Sequence, residues 1–442
     1  MKAVGGRRRC AVAAPDPPTC EHPDFVWAGS GAMALTGFAD GPPVLAPAPL
    51  ASRAREVVQT LAARAGTPAL AALDGAALLG EHAAAFGSER RGRVSPGGSC
   101  RLLRAADRWL AVNLARADDV ALLPAWLGDG DPSDPWAFVA ARVARRPAED
   151  VVARARLLGL PAAVAIAPEP APPPWLRVAQ RGPAGRRPQH HAPLVVDLSS
   201  LWAGPLCGHL LQLAGARVVK VESTRRPDGA RAGPAAFFDL LNAGKQSVAL
   251  DLGAADGRRA LMRLVQRADI VIEASRPRAV AQFGIDAETL VATRPGVIWL
   301  SLTGYGRREP GIDWVAFGDD AAVAAGLAVA TGAPDAPLFC GDAIADPLTG
   351  LHAALAAFEA WQAGESRLLD VSLRDVVAHG LGHAMPPARA SVIRCRDEWE
   401  VELAGVRAAV APPRIRPAFG RARPLGADTA AVLAETEAAL RG

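Results

Sequence analysis

Cysteine pairs at metal-site or redox spacing are missing from this sequence. Its six cysteines are Cys10, Cys20, Cys100, Cys207, Cys340 and Cys395. None forms a CxxC pair, and none stands beside a histidine at zinc-finger spacing. They read as isolated thiols of a reducing compartment, so a cytoplasmic protein with no bound metal is expected. No uninterrupted apolar run of about twenty residues occurs, which argues against a membrane span. Residues 1–24 lack the apolar stretch of a signal peptide. Aromatic residues make up 5% of the chain, with one tyrosine. Basic residues are scattered apart from Arg7–Arg9 and one linker, and the net charge is +4. A basic stripe interleaved with aromatics is therefore absent, and no nucleic-acid partner is expected. A modest positive excess still suits a small polyanionic ligand.

What is present is length and small residues. The chain has 442 residues, half of them hydrophobic, enough for two or three domains. The abundance of Gly, Ala and Arg reads first as compositional bias. Residues 1–24 are Pro- and Arg-rich and are expected to be a disordered tail. A Pro- and Arg-rich stretch over 169–192 reads as a linker. Its adjacent His190 and His191 read as solvated histidines. Residues 25–90 contain helical stretches, notably 50–65. Residues 91–168 read as a small α/β domain, with strands at 108–114 and 162–166 and helices at 121–127, 135–144 and 151–158.

From Leu194 strands alternate with helices. Strands are expected at 194–199, 216–222, 247–252, 269–274, 296–304 and 368–373. Helices are expected at 206–214, at 256–267 with a possible aspartate cap, and at 346–361. Val- and Ile-rich runs separated by helices predict an α/β fold, a doubly wound parallel sheet of Rossmann-like type in the large domain. Residues 193–388 form this domain and 389–442 a C-terminal tail segment.

There is also an internal repeat. TGFADGPPVLAPAPLAS ends at Ser52 and TGAPDAPLFCGDAIAD ends at Asp346. From Pro43 and Pro337 onward the two align without gaps, each leading into an Ala- and Leu-rich helix. Residues 25–90 thus read as a partial repeat of the Asp346 region.

The first strand of the large domain leads into LSSLWAGPLCGHLLQLAGARVVKVE. This is not a dinucleotide fingerprint: Gly204 and Gly208 flank Pro205 and Cys207, and the tight GxGxxG turn is missing. Glu222 mimics the ribose-binding acid of such folds only in position. Ala203-Gly204 before a helix either lets a ligand approach the backbone or packs helix against strand.

WAGPLCGHLLQLAGARVVKVE, FFDLLNAGKQSVALDL, ADIVIEASRPRAVAQFGID, LSLTGYGRREPG and GDAIADPLTGLHAALAAFEAWQAGESRLLDVSL follow one another over about 193–375. In order and spacing they resemble the family III (CaiB/BaiF-type) CoA-transferases. GGSCRLLRAADRWLAVNL to LLGLPAAVAIAP resembles that family's small domain, which here precedes the large one. PPRIRPAFGRARPLGADTAAVLAE resembles its C-terminal end. A permutation or a trimmed tandem duplication would give this order.

The resemblance implies an aspartate nucleophile at Asp346. A carboxylate that attacks a thioester forms a mixed anhydride and frees CoA thiolate. Asp346 at a helix start also fits a plain cap. The resemblance implies CoA contacts from Leu201, Trp202, Ala203, Asn242, Lys245, Leu250, Arg276 and Phe283, with Lys245 and Arg276 facing phosphates. It implies acyl-CoA and a carboxylic acid as substrates, no permanently bound cofactor, and an interlocked homodimer. Ala274-Ser275 stand where many relatives carry Asn-Phe, Ser200 replaces a basic or imidazole group, and Gly97-Gly98 is a shortened glycine loop. Two alternatives remain: a 2-methylacyl-CoA epimerase, and a catalytically degenerate acyl-CoA-binding protein. The epimerase branch carries a histidine where this chain has Ile312.

Overall fold

The computed structural model describes residues 21–185 and 192–441. The tail over 1–20, with Cys10, Cys20 and Arg7–Arg9, and the His190-His191 pair lie outside the described residues.

The N-terminal segment carries α1 (Pro23–Gly29), α2 (Leu50–Ala65) and α3 (Glu81–Phe86). Helix α2 occupies its expected span and closes on Gly66, whose φ of 68° suits the left-handed C-terminal turn. The small domain follows: an antiparallel sheet of β1 (Cys100–Arg104), β2 (Trp109–Asn113) and β3 (Ala162–Val164), with α4 (Pro135–Val143) and α5 (Ala148–Leu157) between the last two strands. The helix expected over 121–127 is two short ones, Ala117–Ala121 and Leu123–Leu127. Pro124 lacks the N–H that a continuous helix would need, so it starts the second.

The large sheet comprises β4 (Leu176–Gly182), β5 (Leu194–Asp197), β6 (Arg217–Ser223), β7 (Gln246–Leu250), β8 (Ile270–Glu273), β9 (Ile298–Thr303) and β10 (Ser366–Ser372). Their spatial order is β4-β10-β9-β8-β5-β6-β7. All neighbours are parallel except β4, which runs antiparallel along β10. The chain runs outward from β5 to β7, then returns to β8 on the other side of β5. That reversal is the switch point at which α/β sheets open a crevice beyond their strand ends.

Single-residue alternation divides the strands between two cores. Val195, Ile270, Ile272, Ile298, Leu300 and Val371 face one, with α6 (Ala203–Leu213) and α11 (Ala345–Gln362). Val196, Val271, Trp299 and Leu368 face the other. Between these two helices lie α7 (Ala235–Asn242), α8 (Ala255–Arg267), α9 (Ala287–Thr293) and α10 (Gly318–Ala324); α12 (Leu373–Leu381) and α13 (Thr429–Arg441) follow. Helices α8 and α13 cover the second face through Leu261, Leu264, Val265 and Val432. The parallel strands are largely buried on both sides, the condition for a parallel sheet, while the antiparallel edge strand β4 is only partly covered. Helix α2 joins the first core through Val57, Val58 and Leu61. The N-terminal segment therefore completes the large domain's first face. Each fully buried Val or Leu contributes about 1.5–3 kcal/mol.

Four sequence expectations need correction. The 169–192 linker contains β4: Leu176 to Gly182 alternate along the β10 edge, and the flanking prolines bound the strand without entering it. The C-terminal tail segment holds an antiparallel sheet, β11 (Ser391–Cys395), β12 (Glu398–Leu403) and β13 (Val406–Ala409), as well as α13. Asp256 does not cap α8; Ala254 stands at that position, and Asp256 lies within the first turn beside Arg259. The helix after β5 starts at Ala203, three residues earlier than expected. Pro205 is tolerated there because the first helical N–H groups have no intrahelical partner.

The two repeat motifs share local form. Thr36 and Thr331 each donate their hydroxyl to the carbonyl four residues back, Ala32 and Leu327. Gly37 and Gly332 each lie where a Cβ would strike the carbonyl just before the aligned prolines Pro43 and Pro337, at 2.7 Å from Pro42 O and 2.2 Å from Ala336 O.

Candidate active site

Asp346 lies in the first turn of α11, and its N–H donates to Ala343 O at 2.9 Å. Backbone N–H groups of Gly318 and Ala203, each the first residue of its own helix, donate to the carboxylate. Three helix starts thus converge on one side chain, and partial positive charge at such ends favours an anion. Gly318 is required: a Cβ there would stand 2.3 Å from Asp346 Oδ2 and 2.2 Å from Ala343 O. Ala343 itself adopts the left-handed region, φ 41°, and its N–H donates to Asp319 Oδ1 at 2.8 Å. Strain of this kind persists only where surrounding contacts fix it. Burial pushes the Asp346 carboxyl up to about 7; His82 and the two N–H groups draw it down, and Asp342 pushes it up. The side chain keeps partial exposure. It is a desolvated carboxylate that a ligand can still reach.

Three more aspartates surround it. Asp320 accepts from Phe317 N (2.9 Å) and Asn113 Nδ2 (3.3 Å), and burial raises it to about 7. Asp319 is raised well above the carboxylate range by burial, then by Asp342. Asp342 meets His82 Nδ1 at 2.6 Å. The small domain closes on the same cluster: Ser95 bonds Asp319, and a Cβ on Gly97 would stand 3.6 Å from Asp342 Oδ1.

His82, from α3, stacks on Trp202 (centroids 5.0 Å apart, 20° between planes) and on Phe86 (4.3 Å, 27°), with Phe237 edge-on at 4.9 Å. Sequence reasoning missed this residue. It lies 260 positions from Asp342 in an Ala-rich stretch, and no local pattern marks it. A second histidine, His352, on the same helix as Asp346, is buried, with Nδ1 against Leu348 O at 2.8 Å and Trp175 edge-on. Burial lowers it to about 4, so it is a packed neutral histidine.

The expected CoA contacts separate into two groups. Trp202 and Ala203 adjoin Asp346 and His82 as described. Leu201 is 42% exposed at φ 70°, its N–H held by Asp228 Oδ1 at 3.0 Å. Arg276 follows β8 and lines a cleft of about 760 Å³ with Arg156, Arg278 and Trp314. Burial and repulsion from Arg278 lower its pKa, with Arg116 and Arg226 adding to the repulsion. Part of this positive charge is balanced: Arg116 pairs with Asp119 and Arg278 with Asp313.

The second group turns inward. Lys245 is fully buried, and its Nζ donates to Asp197 Oδ2 and Pro205 O, both at 2.9 Å. Burial lowers its pKa while Asp197 opposes the shift. It is an internal ion pair under α6 and does not face phosphate. Asn242 is buried with Nδ2 on Phe238 O. Leu250 packs into the second core, and Phe283 leans on that core's edge. The expectation for Lys245 is corrected because its partner lies on β5, 48 residues earlier.

Among the described residues no group of three or more His, Cys, Asp or Glu side chains is arranged to hold a metal ion. No helix there is long and apolar enough to cross a membrane. Cys100, Cys207 and Cys340 are buried free thiols, and Cys395 is half-buried.

The model of CoA-transferase family III matches residues 193–398. The resemblance read from the sequence therefore holds over this segment, which bears Asp346. Succinate–glutarate CoA-transferase of Agrobacterium fabrum is 34% identical over 209 residues, 43% of this chain and 52% of that protein. Succinyl-CoA–D-citramalate CoA-transferase of Chloroflexus aurantiacus is 31% identical over 195 residues, 41% of this chain and 48% of its own. The chain spans about half the length of these curated relatives. A CaiB/BaiF family protein from Brucella suis aligns with a TM-score of 0.43 at 28% identity, over 50% of this chain and 66% of that one.

Proposed function

We propose that this chain, whose residues 193–398 carry the family III match, is a CoA-transferase with Asp346 as its nucleophile. The observation that carries the reading is the Asp346 carboxylate: desolvated, still accessible, and held by two backbone N–H groups at converging helix starts. The carboxylate attacks the thioester carbonyl of an acyl-CoA. The C–S bond breaks, giving an acyl-aspartyl anhydride and CoA thiolate. Thiolate attack on the aspartyl carbonyl releases the donor acid and leaves CoA as an aspartyl thioester. An acceptor carboxylate reverses the sequence and departs as its own CoA thioester. Splitting the transfer this way replaces one difficult step with easier ones. The aromatic wall of Trp202, Phe86 and Phe237 limits water, which would hydrolyse the anhydride.

Arg276, with Arg116, Arg226 and Arg278, forms the cationic end of the site and suits the phosphates of CoA. CoA is substrate here, and no permanent cofactor belongs to the reading. A cytoplasmic homodimer also belongs to it.

His82 beside Asp342 gives a second reading its one support. An epimerase of 2-methylacyl-CoA needs two proton-carrying groups near the α-carbon, and His82 offers an imidazole that the Ile312 position does not. The test is a 2-methylacyl-CoA in heavy water, with and without an acceptor acid. Transfer without deuterium at C2 is expected; rapid uptake without acceptor would reject the transferase.

A further inference from the structure

Beside the start of α3 the fold leaves a cavity of about 490 Å³. Small-molecule sites occupy roughly 300–1,000 Å³. The walls come from three parts of the chain: residues 69–81 of the N-terminal segment, the end of α6, and the irregular stretch 414–419 of the C-terminal segment. Leu73, Leu78, Leu213, Ile415 and Phe419 make them largely apolar. Phe419 is 68% exposed and Ile415 38%, so apolar side chains stand in water at a concave surface, as ligand-binding grooves have them. Glu81 lines this cavity, whereas the next residue, His82, meets Asp342 at the candidate active site. The start of α3 thus divides the two.

The charges around the cavity suit an anion. Its two carboxylates are already taken: Asp74 by Arg55 at 3.3 Å and Arg414 at 3.7 Å, and Glu81 by Arg416. Two buried donor groups are not. Arg416 lines the cavity and gives Nη1 to Glu81, while its Nη2 is shut from solvent with no hydrogen-bond partner among the described residues. His209 lies one turn before Leu213 on the same face of α6 and is 1% exposed, and neither of its ring nitrogens has a partner there. Its ring centroid is 5.9 Å from that of Phe419. Burial holds His209 well below the ordinary histidine range, so the ring is neutral and keeps one N–H to donate. Unpaired buried donors are costly, and each calls for an acceptor.

We propose that this cavity binds a free carboxylic acid with an apolar chain, its carboxylate accepting from Arg416 Nη2 and His209 and its chain lying against Leu73, Leu78, Leu213 and Phe419. A carboxylate brings two acceptor oxygens to two donors, and an ammonium head brings none. The proposal does not rest on the transferase reading, because binding here involves no group at Asp346.

The test titrates octanoate into the full-length protein by isothermal titration calorimetry. One octanoate per chain should bind, and octylamine and acetate, which lack the head or the tail, should bind at least about tenfold more weakly. Phe419→Ser, at an exposed position, and His209→Phe, which keeps a ring but loses both nitrogens, should each weaken octanoate by about tenfold. Octanoate is also an acid of the class that reacts at Asp346, so the titration is repeated on Asp346→Asn saturated with octanoyl-CoA. Unchanged affinity there supports the proposal. No binding, octylamine binding as tightly, displacement by octanoyl-CoA, or affinity unmoved in a folded variant of either kind overturns it and leaves the transferase reading intact. Binding with these properties and no CoA transfer to any acid supports the proposal and removes that reading.

Discussion

Two stretches of this chain share a motif and have opposite fates. Asp24 and Asp319 each stand twelve residues before their Thr-Gly pair, each as the second residue of a seven-residue helix. Asp24 is fully buried and neutralised: Arg389 donates twice to it, at 2.9 and 3.1 Å, and Ala390 N–H adds a third bond. Asp319 is buried too, and among the described residues it pairs with no lysine or arginine, while the carboxylates of Asp342 and Asp320 stand beside it. Farther along, α11 presents Asp346 to two backbone N–H groups, whereas α2 presents Ser52, whose hydroxyl has no hydrogen-bond partner among the described residues. Charge is compensated in the first copy and left in tension in the second. Compensation stabilises a fold; uncompensated carboxylates with raised proton affinity are the currency of a reactive site.

The largest test of that contrast is substitution at the two aligned positions. Asp346→Ala or Asp346→Asn should lower CoA transfer by about a thousandfold or more, since neither can form the anhydride. Ser52→Ala should leave turnover unchanged. Steady-state assays with an acyl-CoA and an acceptor acid measure both, and activity of either Asp346 variant within about tenfold of the parent would end the assignment.

A subtler break uses Gly318, whose counterpart in the first copy is Pro23. Gly318→Ala puts a methyl where the Asp346 carboxylate lies. A displacement of this size should cost about a hundredfold in the acylation rate, read by single-turnover kinetics, with folding retained by circular dichroism.

Removing the first copy's compensation should do the reverse. Arg389→Ala leaves Asp24 buried with two fewer bonds and should lower unfolding free energy by roughly 3 kcal/mol, reduced from a fully buried pair because Arg389 is partly exposed. Urea denaturation measures this, and turnover per folded molecule should not move.

The smallest effect concerns pH. Asp346 is raised, so its folded-state pKa lies above its unfolded one, and ionising it opposes folding. Its contribution to stability is present at acid pH and lost as pH rises through about 7. Asp346→Asn should therefore gain more stability relative to the parent at pH 8 than at pH 5, the two gains differing by on the order of 2 kcal/mol. Thermal melts at the two pH values decide it.

Much of the fold was legible because its strands are short Val- and Ile-rich runs buried on both faces, and because α2 and α11 carry dense apolar stretches. Strand β4 was hidden by the prolines around it, and the β11–β13 sheet by weak, charged strands such as Glu398–Leu403. At the site, Asp346 was legible through its flanking segment. Lys245 misled because a lysine before a strand looks solvent-exposed until its partner Asp197, on a different strand, is known. His82 was invisible for the same reason: its meaning lies in Asp342 and Trp202, which only the fold brings to it.

The most direct test of the central claim is to incubate the protein with acyl-CoAs, trap with hydroxylamine, and identify the modified peptide by mass. The account predicts one modification per chain, on the peptide bearing Asp346. Modification at another residue, two per chain, or none with any donor that supports CoA transfer would contradict it.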